Sequence, residues 1–398
     1  MKTKKAILVA LLLMGLSLLS QAQNLQSSSI RIAVPFLNNM PDARGASLGF
    51  SGVATSPDAY SMFYNPAKYA FMQTEHTMIA SGIDLLSQYY PISGPASPIL
   101  FYGTFAQKIG KSAIAATARY YYMGGEINFV DENNIDIGSY MPREFAVDIA
   151  YSYRFGDYFS AGVAGRFIHS NLISGMGNKA TSYSIAGDVS VYYKRPLCNL
   201  IDMSFGTSIT NIGTKMSYNS SSVRKDFIPT TLRLGTAFKF NFHPKNTLAF
   251  NLEFSKLLVP TPPFRVYNDT ILYGRDDNVS VFRGMFQSFY DASGYAYNWD
   301  TDEIDHIGTF YEELCEINTG LGLEYNLADH FFARIGYFHK PSLKGGVNCL
   351  TQGVGMRFGI FGMDLSYSYY FHRSGFIEGS TDQIAYNSLL RWDMYFAF

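Results

Sequence analysis

"FAVDIAYSY", at residues 145–153, alternates without a break. Phe145, Val147, Ile149, Tyr151 and Tyr153 share one parity, and Ala146, Asp148, Ala150 and Ser152 the other. A period of two marks a strand with one apolar and one polar face. The pattern returns at 183–193, where Tyr183, Ile185, Val189, Val191 and Tyr193 oppose Ser184, Asp188 and Ser190. At 363–371, Met363, Leu365, Tyr367, Tyr369 and Phe371 oppose Asp364, Ser366 and Ser368. The chain closes on it as well: in "SLLRWDMYFAF" (388–398), Leu390, Trp392, Met394 and Phe396 lie opposite Arg391, Asp393 and Ala397. About fourteen such segments fall between His76 and Phe398. Each has about the 9–11 residues a tilted membrane strand needs, with aromatic residues near its ends, where interfacial girdles sit.

The connections set this pattern apart from a soluble sandwich. Short turns near 108–111, 155–158, 194–200, 242–246, 326–330 and 359–362 alternate with longer links around 87–97, 124–142, 169–181, 211–228, 258–312, 340–348 and 372–386. Short periplasmic turns facing longer outside loops, with an even strand number, describe a bacterial outer-membrane barrel. Both chain ends then belong on the periplasmic side. The expected fold is all-β: a transmembrane barrel of about 14 antiparallel strands, preceded by a hatch or plug.

The remaining composition agrees. Lys2, Lys4 and Lys5 precede the apolar run Ala6 to Leu19, and Ser20-Gln21-Ala22 offers a cleavage site before Gln23. The expected division is therefore a signal peptide at 1–22, a hatch at 23–75 and a barrel at 76–398 in the outer membrane. With 16% aromatic and 16% charged residues and a net charge of −1, the chain is neither disordered nor a basic nucleic-acid binder. Cys198, Cys315 and Cys349 are odd in number and match no zinc spacing; no cofactor is expected.

Charged residues at inward positions are Asp148, Arg154, Arg166, Asp188, Arg233, Lys239, Glu253, Asp364, Arg391 and Asp393. A Lys or Arg facing lipid at mid-membrane costs about 2–4 kcal/mol, so these belong in the lumen, as a structural network bracing the wall. Filling that lumen falls to 42–71, "DARGASLGFSGVATSPDAYSMFYNPAKYAF". Gly45, Gly49 and Gly52 permit close backbone approach, and Asn65-Pro66 is suited to start a short helix, Asn65 as its cap.

"ARGASLGFSGVA" followed by "SPDAYSMFYNPAKYA" resembles the hatch of the FadL-like barrel superfamily. "PDARGASLG", "GVATSPDAYSMFYNPAKYAF" and "PREFAVDIAYSYRF" resemble, more narrowly, the PorV family of the type IX secretion system. The AKYAF ending sets the motif apart from fatty-acid and hydrocarbon transporters, whose corresponding stretch reads closer to NPAGLA. The resemblance implies a fourteen-stranded, non-enzymatic barrel surrounded by outer-membrane lipid. It further implies a shuttle that binds the C-terminal signal domain of translocated cargo and delivers it to a surface attachment complex containing a PorU-like sortase, and that also associates with the large translocon barrel. The alternative within the superfamily is a transporter of hydrophobic small molecules.

A shuttle works through its outside loops. The longest, 258–312, carries nine acidic against three basic residues and twelve aromatic ones, among them Phe282, Phe286, Phe289, Tyr290, Tyr295, Tyr297 and Trp299. Aromatic residues anchor protein interfaces; the competing reading is a lid packed over the barrel mouth. Other motifs are weaker. Asp131, Asn133 and Asp136 in "VDENNIDIGSY" lack the glycine and terminal glutamate of a calcium loop. Gly45-Ala46-Ser47-Leu48-Gly49 matches a nucleophile elbow without its strand-to-helix context. His169 and Ser170, as neighbours on a strand, point to opposite faces and make no dyad.

Overall fold

The computed structural model describes residues 25–72, 78–85, 99–123, 127–130, 136–175, 178–218, 225–266, 270–298, 301–373 and 388–397. The proposed signal peptide, Trp299, Phe398, Asp131 and Asn133 lie outside the described residues.

In chain order the strands begin with β1 (Leu25–Gln26), β2 (Met78–Leu85), β3 (Ile99–Ile109), β4 (Ser112–Tyr122), β5 (Ile127–Val130), β6 (Asp136–Tyr140) and β7 (Arg143–Phe155). Next come β8 (Phe159–Gly175), β9 (Asn178–Cys198), β10 (Ile201–Gly213), β11 (Thr231–His243), β12 (Asn246–Leu257), β13 (Phe264–Val266) and β14 (Thr270–Tyr273). The last are β15 (Tyr295–Asn298), β16 (Glu303–His306), β17 (Asn318–Leu327), β18 (Phe331–Lys340), β19 (Val347–Phe358), β20 (Phe361–Arg373) and β21 (Ser388–Ala397). Fourteen of them close a barrel in the order β2-β3-β4-β7-β8-β9-β10-β11-β12-β17-β18-β19-β20-β21, with β21 returning to β2 through Asp84↔Arg391 and Gly82↔Asp393. Every neighbouring pair is antiparallel, so no edge is left unpaired.

Alternation places the side chains as the sequence pattern requires. On β7, Ile149 is 67% exposed while Asp148 beside it is 0% exposed. Ile185, Val163 and Val354 likewise face outward, and Asp188, Arg166 and Asp364 face inward. Leu390 and Phe396 are exposed on β21, with Arg391 and Asp393 buried. Among the described residues no helix is long and apolar enough to cross a membrane; the crossing is made by strands.

Two expectations change. The link at 169–181 is no loop: β8 and β9 continue past their neighbours, pairing with each other as far as Gly175↔Asn178. Its glycines and polar residues read as irregular because they carry no sustained apolar alternation, the cue that marks the other strands. The N-terminal stretch also starts on the other side. Leu25 pairs with Asn298 in the long outside loop, whereas the Met72 carbonyl accepts from Lys108 Nζ (2.7 Å) beside a short turn. The chain thus enters from the outside and descends through the lumen before β2 begins.

The descending segment is the plug. It contains a 3-10 turn at Pro35–Asn38, helices α1 (Ala43–Ser47) and α2 (Ser61–Tyr64), and a second 3-10 turn at Pro66–Phe71. Asn65 caps the last, its side chain accepting from the Ala67 N–H with Pro66 in the first turn. Gly49 takes a φ of +65°, and its N–H donates to Thr351 Oγ1 (3.0 Å) on the wall. The wall yields where the plug approaches: a Cβ on Gly336 would fall 2.1 Å from the Gly49 nitrogen, and one on Gly206 2.0 Å from the Val53 oxygen.

Candidate functional site

The lumen charges hold the plug as well as bracing the wall. Asp148 accepts from Arg119 Nη2 (3.0 Å) and from Thr117 and Arg166; Arg166 in turn reaches Asp188 (3.0 Å) and the Asn211 side chain. This chain of charges links β4, β7, β8, β9 and β10, and Arg119 also donates to the Leu37 carbonyl of the plug (3.3 Å). Opposite Asp188, β10 bulges; Asn211 takes a φ of +61°, and its N–H donates to Asp188 Oδ1 (2.7 Å). On the other side Arg334 bridges Glu324 (2.7 Å) and Asp364 (2.5 Å), and Arg44 of the plug grips Glu324 with two donors at 2.9 Å.

The other inward charges also meet the plug. Asp393 Oδ2 accepts from the Ala43 N–H (2.6 Å), and Glu253 Oε2 from those of Gly52 (2.7 Å) and Val53 (2.8 Å), while Arg233 lies 3.6 Å from Glu253. The Arg154 and Arg391 guanidinium groups lie over the rings of Phe71 and Phe50. Lys239 is half-buried at the short-turn end. Sequence reading missed Arg44, whose partner Glu324 lies far along the chain; it also missed Arg119, Glu324 and Arg334, although these stand at inward strand positions and Glu324 faces Arg334 directly across one hairpin. Lys68, the lysine of the AKYAF ending, is fully buried; its ammonium donates to the Gly52 carbonyl (2.8 Å) and Thr55 Oγ1 (3.0 Å), stapling the plug to itself.

Above the lumen sits a cap formed by 258–317, five residues longer than the sequence suggested because β17 begins at Asn318. Two short helices, α3 (Val281–Gln287) and α4 (Thr309–Leu314), shape its outer surface. Both are inside-out. In α3 and the turn after it, Phe282, Phe286, Phe289 and Tyr290 form the i, i+4, i+7, i+8 stripe that normally faces a core, yet all four are exposed, Phe286 at 71%. In α4, Phe310 (76% exposed), Tyr311 and Leu314 face out, while Glu312 and Glu313 are buried.

The buried side of the cap explains the inversion. Lys256, near the top of β12, holds Glu313 (3.0 Å) and Glu316 (2.5 Å); Lys344, between β18 and β19, holds Glu312 (2.7 Å) and Glu316 (3.0 Å). Glu312 also accepts from the Gly294 N–H (2.7 Å), Glu313 from that of Ala292 (2.9 Å), and Glu316 from the Thr261 hydroxyl (2.6 Å). Burial alone would raise Glu316, but Lys344 and Lys256 hold it below the usual carboxylate range. Asp291 has no ion pair among the described residues: burial, reinforced by Glu313 and Glu316, pushes it up to about 7. With the charges fixed beneath, the aromatic residues of both helices remain outside.

The seven aromatic candidates therefore divide. Phe282, Phe286, Phe289 and Tyr290 form an open surface. Tyr295 stacks on Tyr273 at 3.7 Å and meets His306, and Tyr297 bonds to Asp302; these two build the cap rather than its face. Phe310, Tyr311 and Leu314 were missed, although "TFYEEL" carries the signal of adjacent aromatic and acidic pairs. One side of the segment packs over the barrel mouth through Glu312, Glu313 and Glu316, and the other exposes Phe282, Phe286, Phe310 and Tyr311.

The weaker motifs are also placed. Ser47 lies in α1 at 0% exposure, its hydroxyl donating to the Arg44 carbonyl (2.7 Å). Ser170 points inward to Glu144 (2.5 Å), and His169 points outward, stacked on Phe145. The described residues include no group of three or more His, Cys, Asp or Glu arranged for a metal. Cys198 is free and exposed, Cys315 and Cys349 free and buried.

A family model described as "Type IX secretion system protein PorV" matches residues 21–264. Among solved structures, the monoaromatic hydrocarbon channel CymD is similar at a TM-score of 0.50 and 12% identity, over 90% of this chain and 97% of that one. The Pseudomonas putida toluene transporter TodX is similar at 0.50 and 12%, over 94% of this chain and 99% of that one. At such identity they show the fold alone. No curated protein sequence matches the chain.

Proposed function

The chain belongs to the PorV family of type IX secretion system proteins, and on that premise we propose that this outer-membrane barrel is a non-catalytic shuttle that receives the C-terminal signal domain of secreted cargo on its cap and passes it to the surface attachment complex. The observation that carries the reading is the inside-out pair of helices. Exposed Phe282, Phe286, Phe310 and Tyr311 over a buried ionic base are an outward aromatic face, the composition that anchors protein interfaces. The large translocon barrel and a sortase-containing complex are the further partners that family membership suggests.

The fold neighbours favour a second reading, a channel for hydrophobic small molecules. Against it stands the plug, packed against glycines of the wall at Gly336 and Gly206 and tied by Arg44 to Glu324. The test is equilibrium binding of a cargo C-terminal domain to the purified barrel. Phe282→Ser with Phe286→Ser should weaken binding by at least tenfold, about 1.4 kcal/mol, without changing the barrel's heat stability. Unchanged affinity would remove the cap from the function.

A further inference from the structure

The short-turn end carries an excess of positive charge, with exposed Lys111, Arg195, Lys245 and Arg357 against exposed Asp157 and Asp329. Across 108–112, 154–159, 194–202, 239–246, 326–331 and 356–361 the sequence places eight Lys and Arg against three Asp and no Glu. Lys111, Arg195, Lys245 and Arg357 are exposed there, one on each of four turns spread around the rim. None has a carboxylate partner among the described residues; Arg195 rests over Tyr158 and Arg357 over Tyr395. The turns holding Lys111, Lys245 and Arg357 contain no carboxylate at all. Asp202, beside the Arg195 turn, accepts from Asn241 (3.2 Å).

Each of these cations has an exposed apolar neighbour: Ile109 by Lys111, Leu197 by Arg195, Phe242 by Lys245, and Phe358 by Arg357. An apolar group beside a long cation at a membrane edge lets the first stay among acyl chains while the second reaches the headgroups. The opposite end of the molecule is reversed in sign, with eleven acidic and three basic residues over 258–317. A rim whose exposed cations outnumber its exposed carboxylates, set on an apolar collar, is complementary to negatively charged headgroups.

We infer that the short-turn rim is a binding surface for anionic phospholipids of the periplasmic leaflet, each exposed cation taking a headgroup phosphate and its apolar neighbour the upper acyl chain. The rim fixes the depth and tilt of the barrel while the cap engages partners. The inference is independent of cargo binding, and its test involves no secretion.

The single exposed thiol among the three described, Cys198, lies in the Arg195 turn and serves as a reporter. The full chain, carrying a fluorophore on Cys198, is reconstituted in phosphatidylcholine vesicles containing a small fraction of brominated phosphatidylglycerol or, in parallel, brominated phosphatidylcholine. The anionic lipid should be enriched at the label by about fivefold at low salt, and the enrichment should fall as salt rises. It should vanish when Lys111, Arg195, Lys245 and Arg357 are all changed to Gln. Equal quenching by the two lipids, salt-independent selectivity, or selectivity that survives the fourfold change would each overturn the inference. So would equal quenching together with an acidic periplasmic protein held on these turns. Should the fourfold variant fail to fold, the salt titration of the unmodified chain decides alone.

Discussion

Gly336→Ala is the smallest change that asks whether the plug is fixed in the wall. Its Cβ would lie 2.1 Å from the Gly49 nitrogen and 2.5 Å from the Leu48 carbonyl carbon, both backbone atoms, so no side chain can swing away. Restoring an ordinary 3.4 Å contact requires 1.3 Å of movement by the plug. That movement breaks the bond from the Gly49 N–H to Thr351 Oγ1 and the one from Thr351 Oγ1 to the Ser47 carbonyl, both 3.0 Å. Two hydrogen bonds at about 1 kcal/mol each and an overpacking cost of about 1–3 kcal/mol give about 3–5 kcal/mol against the docked plug. The strand itself loses nothing by the change, since Ala suits a strand better than Gly. Gly165→Ala is the matched control, with nothing within 4 Å of the added carbon. Conductance across a planar bilayer and the temperature of the folded-to-unfolded gel shift report the result. The Gly336 variant should conduct and unfold at lower temperature; if it matched the Gly165 variant in both, the plug would not be held as described.

Asp148→Ala strands Arg119 and Arg166 in the wall without their shared carboxylate. It should cost about 3–5 kcal/mol in urea unfolding from vesicles, the range for breaking one side of a buried pair. Asp291 makes the cap pH-dependent. Its folded value of about 7 lies above the ordinary 3.8, so the stability it contributes is fully present below about pH 4 and is lost as pH rises through 7. Hydrogen exchange over 258–317 should therefore be faster at pH 8 than at pH 5 after correction for intrinsic rates, and Asp291→Asn should remove the difference. Topology gives a fourth expectation: an impermeant maleimide applied to whole cells should label Ser29→Cys, in a Cys198→Ser background, but not Cys198 itself.

Legibility in the sequence followed how local each signal was. The wall could be read from Asp148, Asp188 and Asp364 alternating with outward Ile, Val and Leu, because inside and outside differ at every second residue. Asn65-Pro66 gave the plug's last turn because a cap and a fixed φ are properties of adjacent residues. The 169–181 ribbon was hidden because its glycines and polar residues carry no sustained apolar alternation. The descending path of residues 25–38 from the outside was hidden too, since the two-residue pairing of Leu25 and Gln26 with β15 leaves no pattern in the chain. Arg44 with Glu324 and Arg119 with Leu37 join plug to wall across long separations, and no spacing rule reaches them. In the cap, aromatic abundance was visible, but which rings faced out was decided by Lys256 and Lys344, which pull the glutamates of α4 beneath the surface.

The central claim is that cargo docks on the aromatic face of the cap, and the most direct measurement is site-specific photo-crosslinking in secreting cells. A photoreactive residue at Phe286 should capture secreted proteins through their C-terminal domains, while the same residue at Ile149, on the lipid side of β7, should capture none. Capture from Ile149 but not from Phe286, or lipid alone from both, would contradict the account.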